Sequence, residues 1–388
     1  MYKRFISKPQ LIAGIKGFFV GTIITAISFF VVIKFFYSPQ ITDSKNAIME
    51  NGFCYYQPLP KKYITYNSLN EQSFSQQCDG QSRVDIGAFQ DEDVQKKVIL
   101  SVYNDVKNIK PKKPNSKDIW VTSDIHGDIK MLLQGLLKSG IVTWDGSLKK
   151  EKYIAYKGKI LTVIYPDVAV NKAFKGVYIN LGDVVNKNAF GISSLYLLHD
   201  IYEKTKNKNG SNTKVKIIVG NHEYHDLLPT TISAYKETLM NFIDMFDVYY
   251  EKDGLSFSHA PITQNLKPKN KKEIRYLKSL LSKDDENFKL KHLLYGYEGL
   301  GAFLNSVKPG DPDKILSKSV SGHTHGPVDL GYNTRKDVLN TANDRFSKKI
   351  SQRGIIFRIN TGKKSVYSYT SNDGIELIEG KIDKNLFD

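Results

Sequence analysis

The chain has 388 residues, 40% of them hydrophobic and 12% aromatic, enough to bury a sizeable core as one large or two ordinary domains. Lys and Arg total 56 against 40 Asp and Glu, a formal net charge of +16 that would suit nucleic acid, acidic lipid or an acidic substrate. The lysines are scattered through loops without an RRM, zinc-finger or helix-turn-helix signature, so specific nucleic-acid binding is not expected.

Residues 17–33 run without a charge, Lys34 interrupts, and Phe35, Phe36 and Tyr37 continue the apolar stretch. With the lysine snorkelling, this is long enough to cross a bilayer. A cleaved signal peptide would need a small-residue cleavage site, and none follows. A buried core helix would carry polar residues on one face, and this stretch has few. The expectation is a basic tip and a single transmembrane helix over residues 1–38. Lys3, Arg4, Lys8 and Lys16 precede the span while Lys34 and Lys45 follow it, which places the N-terminus in the cytoplasm and the rest outside, periplasmic or exported. That compartment would let Cys54 and Cys78 pair; two buried thiols are the alternative.

Residues 39–115 form an extracytoplasmic extension with one amphipathic helix over 94–107, and the Lys-Pro-Lys-Lys-Pro-Asn run at 110–115 reads as a linker. The catalytic domain is expected over residues 116–380. It opens on Asp118-Ile-Trp-Val-Thr-Ser-Asp124-Ile-His126-Gly-Asp128, a short apolar strand, a Gly turn and a helix over 129–138 ending at Ser139-Gly140. If the strand continues, Asp124 and His126 lie two apart on extended backbone and point to the same side, where they could hold a divalent metal. Asp124 as a helix cap is the plain alternative. Strand-like pieces follow at 153–156 and 160–165, then a strand delivering Asp183 and a helix over 192–204. A strand over 215–219 leads into Gly220-Asn221-His222-Glu223. This strand, site, helix rhythm recurs three times and marks an α/β domain. Another strand ends in His259, residues 264–292 read as an inserted helical excursion, and Gly322-His323-Thr324-His325 closes the set. Alternating segments at 354–359, 365–369 and 375–379 suit antiparallel strands.

Five strand ends in order therefore supply Asp124 and His126, Asp183, Asn221 and His222, His259, and His323 with His325, taking up most of the chain's eight histidines. Here the chain resembles the calcineurin-like metallophosphoesterase superfamily, whose pattern is DxH, GDxx, GNHE, a lone His and GHxH. Ser-Asp-Ile-His-Gly-Asp and Gly-Asn-His-Glu look like the PPP-type protein phosphatases. The long gap between Asp124 and Asp183 and the late Ile359-Asn360-Thr361-Gly362 look closer to bacterial and Shewanella-like members.

The resemblance implies an αββα sandwich and two divalent metal ions, manganese first, with iron or zinc as alternatives. Asp124 and His126, with His325, would hold one ion, Asp183 would bridge both, and Asn221, His259 and His323 would hold the second. Two such metals acidify a shared water, and the bridging hydroxide would attack the phosphorus in line. His222 would protonate the leaving oxygen, and Glu223 would be a structural hydrogen-bonder. One departure stands out: where PPP-type enzymes read GDxxDRG, this chain has Asn186 and Lys187. An amide orients the general-acid His222 without stabilising an imidazolium, and Lys187 and Asn221 would meet phosphate without a bidentate fork. The chain has no arginine between Arg83 and Arg275. The implied activity is a metal-dependent phosphatase acting on a phosphorylated protein or small phosphoester. A nucleotide pyrophosphatase or phosphodiesterase and a non-catalytic binding module are the alternatives.

Overall fold

The computed structural model describes residues 47–50, 53–56, 83–84, 92–154, 160–185, 190–229, 233, 235–283, 287–304, 316–323, 338–340, 356–370, 377–382 and 386–387. Among them no helix is long and apolar enough to cross a membrane; the span expected over residues 17–33 lies outside them, as does Cys78. In chain order, the short strands β1 (Ala47–Glu50), β2 (Phe53–Tyr56) and β3 (Arg83–Val84) form one small sheet. Helix α1 (Glu92–Val106) follows, then β4 (Asp118–Thr122), α2 (Ile129–Ser139), β5 (Val142–Thr143) and the hairpin β6 (Leu148–Ile154) with β7 (Ile160–Pro166). Next come β8 (Ala169–Val170), β9 (Val177–Asn180), α3 (Gly191–Thr205), β10 (Val215–Ile218), α4 (Asn221–Leu227) and α5 (Lys236–Asn241). The chain then forms β11 (Phe246–Asp247), β12 (Tyr250–Lys252), β13 (Leu255–Ser258), α6 (Lys271–Lys278) and α7 (Phe288–Leu304). It closes with β14 (Ser319–Ser321), β15 (Val338–Asn340), β16 (Ile356–Asn360), β17 (Ser365–Thr370) and β18 (Ile378–Ile382).

A seven-stranded sheet in the order β11-β10-β9-β4-β16-β17-β18 is the spine among the described residues. Strands β11, β10, β9 and β4 run parallel, and the tail hairpins join antiparallel beside β4. Strand β4 is therefore central, which explains why all five of its residues are buried. A second sheet, β12-β13-β14-β15, packs on the spine. Side-chain alternation sorts the two faces. Ile119, Val121, Val177, Ile179 and Ile218 meet Leu255, Phe257, Val320 and Leu339 of the second sheet, while Trp120, Tyr178, Val215 and Ile217 turn to the helical side. Of the expected αββα sandwich, the described residues supply both sheets and the helices on the spine's outer face: a mixed α/β fold.

Helix α1 shares this core through Val98, Ile99, Val102 and Val106, each at most 1% exposed. Gln95 bonds both ways to the backbone of β7, and Lys130 pairs with Asp105 at 2.7 Å. The run at 110–115 is tied down as well, by Lys112 N–H to the Lys138 carbonyl and by a 2.8 Å ion pair between Lys112 and Glu379. At the other end of the chain, Asn360 donates to Asp118 at 2.6 Å, clamping the tail to the start of β4. Residues 264–292 contain a short turn at Gln264–Leu266, α6 and the start of α7.

Candidate metal centre

Strand β4 ends at Thr122, before the chemistry begins. Asp124 (φ 51°) and His126 (φ 49°) take left-handed backbone, so they do not share a side by strand alternation as an extended continuation would have it. The turn is held by bonds to the next site loop: Asp124 N–H to Gly182 O at 3.0 Å, His126 N–H to Asp183 O at 2.7 Å and Gly127 N–H to Val184 O at 2.6 Å. The helix cap is Asp128, which accepts from Met131 N at 2.9 Å, leaving Asp124 for the site. Asp183 (φ 53°) and His323 (φ 66°) are left-handed too. Such backbone costs roughly 1–2 kcal/mol per residue without glycine and persists only where surrounding structure enforces it.

Enforcement comes partly from Glu223, a fully buried carboxylate on α4. Its Oε2 accepts from the backbone N–H of Asp183 (2.9 Å) and Gly220 (2.8 Å), and its Oε1 from Val184 (2.7 Å) and Val185 (3.0 Å). Burial and the adjacent Asp183 carboxylate push its pKa up to about 7. Glu223 thus builds the loop and stands behind the reacting space. Two glycine contacts complete the frame. A Cβ on Gly182 would fall 2.4 Å from Gly220 N, and one on Gly322 would fall 1.8 Å from Ser123 Oγ. Only glycine lets these loops cross so closely.

Two groups of donor atoms result, sharing Asp183: His126 with Asp183 and His222, and Asp183 with His259 and His323, the ligand atoms of each lying within 4.8 Å of one another. In the first, His126 Nε2 is 3.7 Å and His222 Nε2 3.9 Å from Asp183 Oδ2. In the second, His259 Nε2 is 3.5 Å from Asp183 Oδ1, 2.9 Å from Asn221 Oδ1 and 3.2 Å from His323 Nδ1. Asn221 Oδ1 is also 2.9 Å from His323 Nδ1. The imidazole tautomers are set from behind. His126 Nδ1–H donates to Val185 O at 3.2 Å and His259 Nδ1–H to Leu181 O at 2.6 Å, so in each neutral ring Nε2 turns a lone pair inward. His259 Nε2, the Asn221 amide oxygen and the Asp183 carboxylate oxygen are then acceptors facing one another at 2.9–3.5 Å, an arrangement that a cation among them relieves. Donors about 2.0–2.2 Å from a shared divalent ion have about this mutual spacing. The residues fit divalent metal.

Asp124 is buried beside this cluster. Its Oδ2 accepts from His323 N–H at 3.1 Å and from the Ser123 hydroxyl in a short contact, and it belongs to neither group. Asn186, Lys187 and His325 lie outside the described residues. His222 is partly open, its side chain 27% exposed against 1% for His126 and 0% for His259, and His323 is partly buried like it. Ser123 and the carbonyls of Leu181 and Val185 escaped the sequence reading. Backbone acceptors leave no mark in side-chain identity, and Ser123 is betrayed only by its place before Asp124.

Imidazoles and carboxylates at strand ends, arranged around one shared carboxylate, form a candidate divalent-metal centre. Residues 117–327 match the family model of the calcineurin-like phosphoesterases, more than half of the 388 residues, and the chain belongs to that family. Solved structures similar to this chain include a cold-active protein tyrosine phosphatase (16% identity, TM-score 0.44, covering 72% of this chain and 84% of that one). The cold-active protein-tyrosine phosphatase of a psychrophilic Shewanella species is another (14%, 0.43, 71% and 82%). A third is a protein serine/threonine phosphatase from Saccharomyces cerevisiae with similarity to human phosphatase PP5 (12%, 0.39, 74% and 89%). A search of curated proteins returned no match.

Proposed function

We propose that this chain is a two-metal phosphomonoesterase, acting foremost as a phosphoprotein phosphatase. The observation that carries the reading is the pair of donor groups sharing Asp183. Asp183 would bridge two divalent ions, with His126 and Asp124 toward one and Asn221, His259 and His323 toward the other; His325 would complete the set. Manganese is the proposed metal, the mixed N/O donors also suiting iron or zinc. The ions, when bound, supply Lewis acidity toward phosphoryl oxygens and a more acidic water. The protein's own part is proton delivery and orientation. His222, partly exposed and 3.9 Å from Asp183, would give a proton to the leaving ester oxygen. Asn186 would orient that imidazole and Lys187 would meet the phosphoryl group. The uncharged run at 17–33 and the lysines before it support a single N-terminal span with the catalytic domain outside the cytoplasm.

The test is turnover by the full-length protein with added manganese on phosphotyrosine and phosphoserine peptides, p-nitrophenyl phosphate and its bis-ester. Monoester turnover that Asp183→Asn abolishes sustains the reading. Faster bis-ester hydrolysis transfers the site to phosphodiesterases, and bound metal with no ester turnover removes it from enzymology. Resistance to carbonate extraction, lost on deleting residues 1–38, tests the span.

A further inference from the structure

Residues 264–292 leave the loop behind His259 and come back to it. Thr263 N–H donates to His292 Nε2 at 3.2 Å and Ala260 N–H to Leu293 O at 3.2 Å, tying both ends of the excursion beside a proposed ligand. Within it, Lys289 of α7 pairs with Glu273 of α6 at 2.7 Å and donates to Lys267 O at 3.0 Å. These contacts fix α6 against the first turn of α7. Leu277 is buried and turns the apolar side of α6 to the core. The other side is exposed and basic. Residues 267–278 hold Lys267, Lys269, Lys271, Lys272, Arg275 and Lys278, with Glu273 as their only acid. Lys267 pairs with Glu251, and Lys278 donates to Asp244 O. Lys269, Lys271, Lys272 and Arg275 are exposed and have no ion pair among the described residues. Asp284, Asp285 and Glu286 follow and lie outside those residues.

Helix chemistry gives no reason for this charge. Lys271 and Lys272 directly follow the N-cap Asn270, where the positive end of the helix dipole disfavours cations. Lys271 and Arg275 stand at i and i+4, where like charges repel. Glutamates at these positions would hold the helix better. Tyr276, 54% exposed, lies one turn from Lys272 and sets an aromatic ring among the charges. A face that departs from local helix preference to concentrate one sign of charge marks a functional surface.

We propose that the exposed face of α6 docks an acidic segment of a phosphorylated protein, so that favoured substrates carry Asp or Glu near the phosphate. This docking role rests on the phosphatase reading above and names the substrate class within it. Charge complementarity carries it: uncompensated cations on one face steer and orient a run of carboxylates. A polypeptide suits this face better than a bilayer, because the apolar side of α6 is already buried and none is left to enter lipid.

The experiment compares the full-length protein with a variant carrying Lys271→Glu, Lys272→Glu and Arg275→Glu together. A control carries Lys172→Glu, Lys175→Glu and Lys208→Glu, exposed lysines elsewhere on the surface. Steady-state kinetics are read on a phosphopeptide flanked by glutamates, its glutamine-flanked counterpart and p-nitrophenyl phosphate. Binding to phosphatidylcholine vesicles with and without phosphatidylserine is read alongside. Wild type should show a KM about tenfold lower for the glutamate-flanked peptide, the combined worth of a few exposed ion pairs. Salt at about 1 M should erase that preference. The α6 variant should lose it at low salt, with p-nitrophenyl phosphate turnover unchanged, and the control should keep it. The neutral set Lys271→Gln, Lys272→Gln and Arg275→Gln should fall between. No preference in wild type, or one that the α6 variant retains, overturns the docking role and leaves the phosphatase reading intact. An equal loss in the control overturns it in favour of diffuse net charge. Weaker binding of the α6 variant to phosphatidylserine vesicles, with both peptide KM values unaltered, overturns it in favour of anionic lipid. Wild type that turns over none of the three esters overturns both readings.

Discussion

The two halves of the centre differ in how tightly their donor atoms are drawn together. Around His259 and His323, donor atoms meet at 2.9–3.5 Å, His259 is fully buried and Asn221 touches both imidazoles. Around His126 and His222 the contacts to Asp183 are 3.7 and 3.9 Å, and each half has one partly exposed imidazole, His222 in this one and His323 in the other. The tighter half suits holding an ion, and the looser half suits exchanging a proton. The difference lies in strand position. His259 follows β13 directly and is pinned to Leu181 of the neighbouring loop, whereas His222 is the second residue of a short helix.

Asp183 belongs to both halves, so Asp183→Asn gives the largest expected effect. Turnover should fall by about 10³-fold or more, several kcal/mol of charge stabilisation being lost, with reduced metal content by elemental analysis. Next in size is a contrast that would break the comparison if it failed. His222→Ala should lose about 10²-fold in kcat while retaining metal, and lose more on alkyl than on aryl phosphates. His259→Ala should lose metal first, with activity partly restored by excess manganese. Equal behaviour of the two variants in metal titrations would show the halves to be alike.

Glu223 underlies both halves, and Glu223→Gln sharpens the point. An amide nitrogen would then face one of the N–H pairs that the carboxylate now satisfies, costing roughly 2–4 kcal/mol in urea unfolding and loosening both ion sites together. The smallest effect concerns the support behind the tighter half. His292 is buried, and its Nε2 accepts from Thr263 N–H at 3.2 Å, bracing the loop after His259. Burial lowers its pKa from 6.5 to about 4. The unfolded chain therefore takes up the proton first, so this contribution is full above pH 6.5 and is lost as pH falls toward 4. At most it amounts to about 3 kcal/mol. Urea midpoints at pH 7 and 4.5 should converge more for His292→Gln than for wild type.

The strand ends were readable because ligand types stand beside apolar runs, and a strand end puts them where neighbours meet. Helices over 129–139 and 191–205 were readable from period and boundary residues. Other features were not, each for a non-local reason. The run through Asp124 and His126 looks extended, yet bonds to Gly182 and Asp183, far along the chain, turn it left-handed. Helix α1 precedes a Pro-Lys stretch that mimics a linker, and only the receiving surface on α2 and β7 reveals it as core. That the tail strands lie beside β4 depends on which sheet edge stays open, and the alternation within them does not say.

The left-handed backbone at Asp124, Asp183 and His323 also governs how such a site could decay. Branched residues such as Val, Ile or Thr are shut out there by sterics, so drift toward an ordinary core is blocked. Asparagine tolerates the same backbone sign and nearly matches aspartate in shape. At Asp124 and Asp183 the mildest exchange for the fold is thus one that removes a carboxylate charge from the centre. Folding exerts little pressure against losing the reaction here, and an inert descendant could keep the architecture intact.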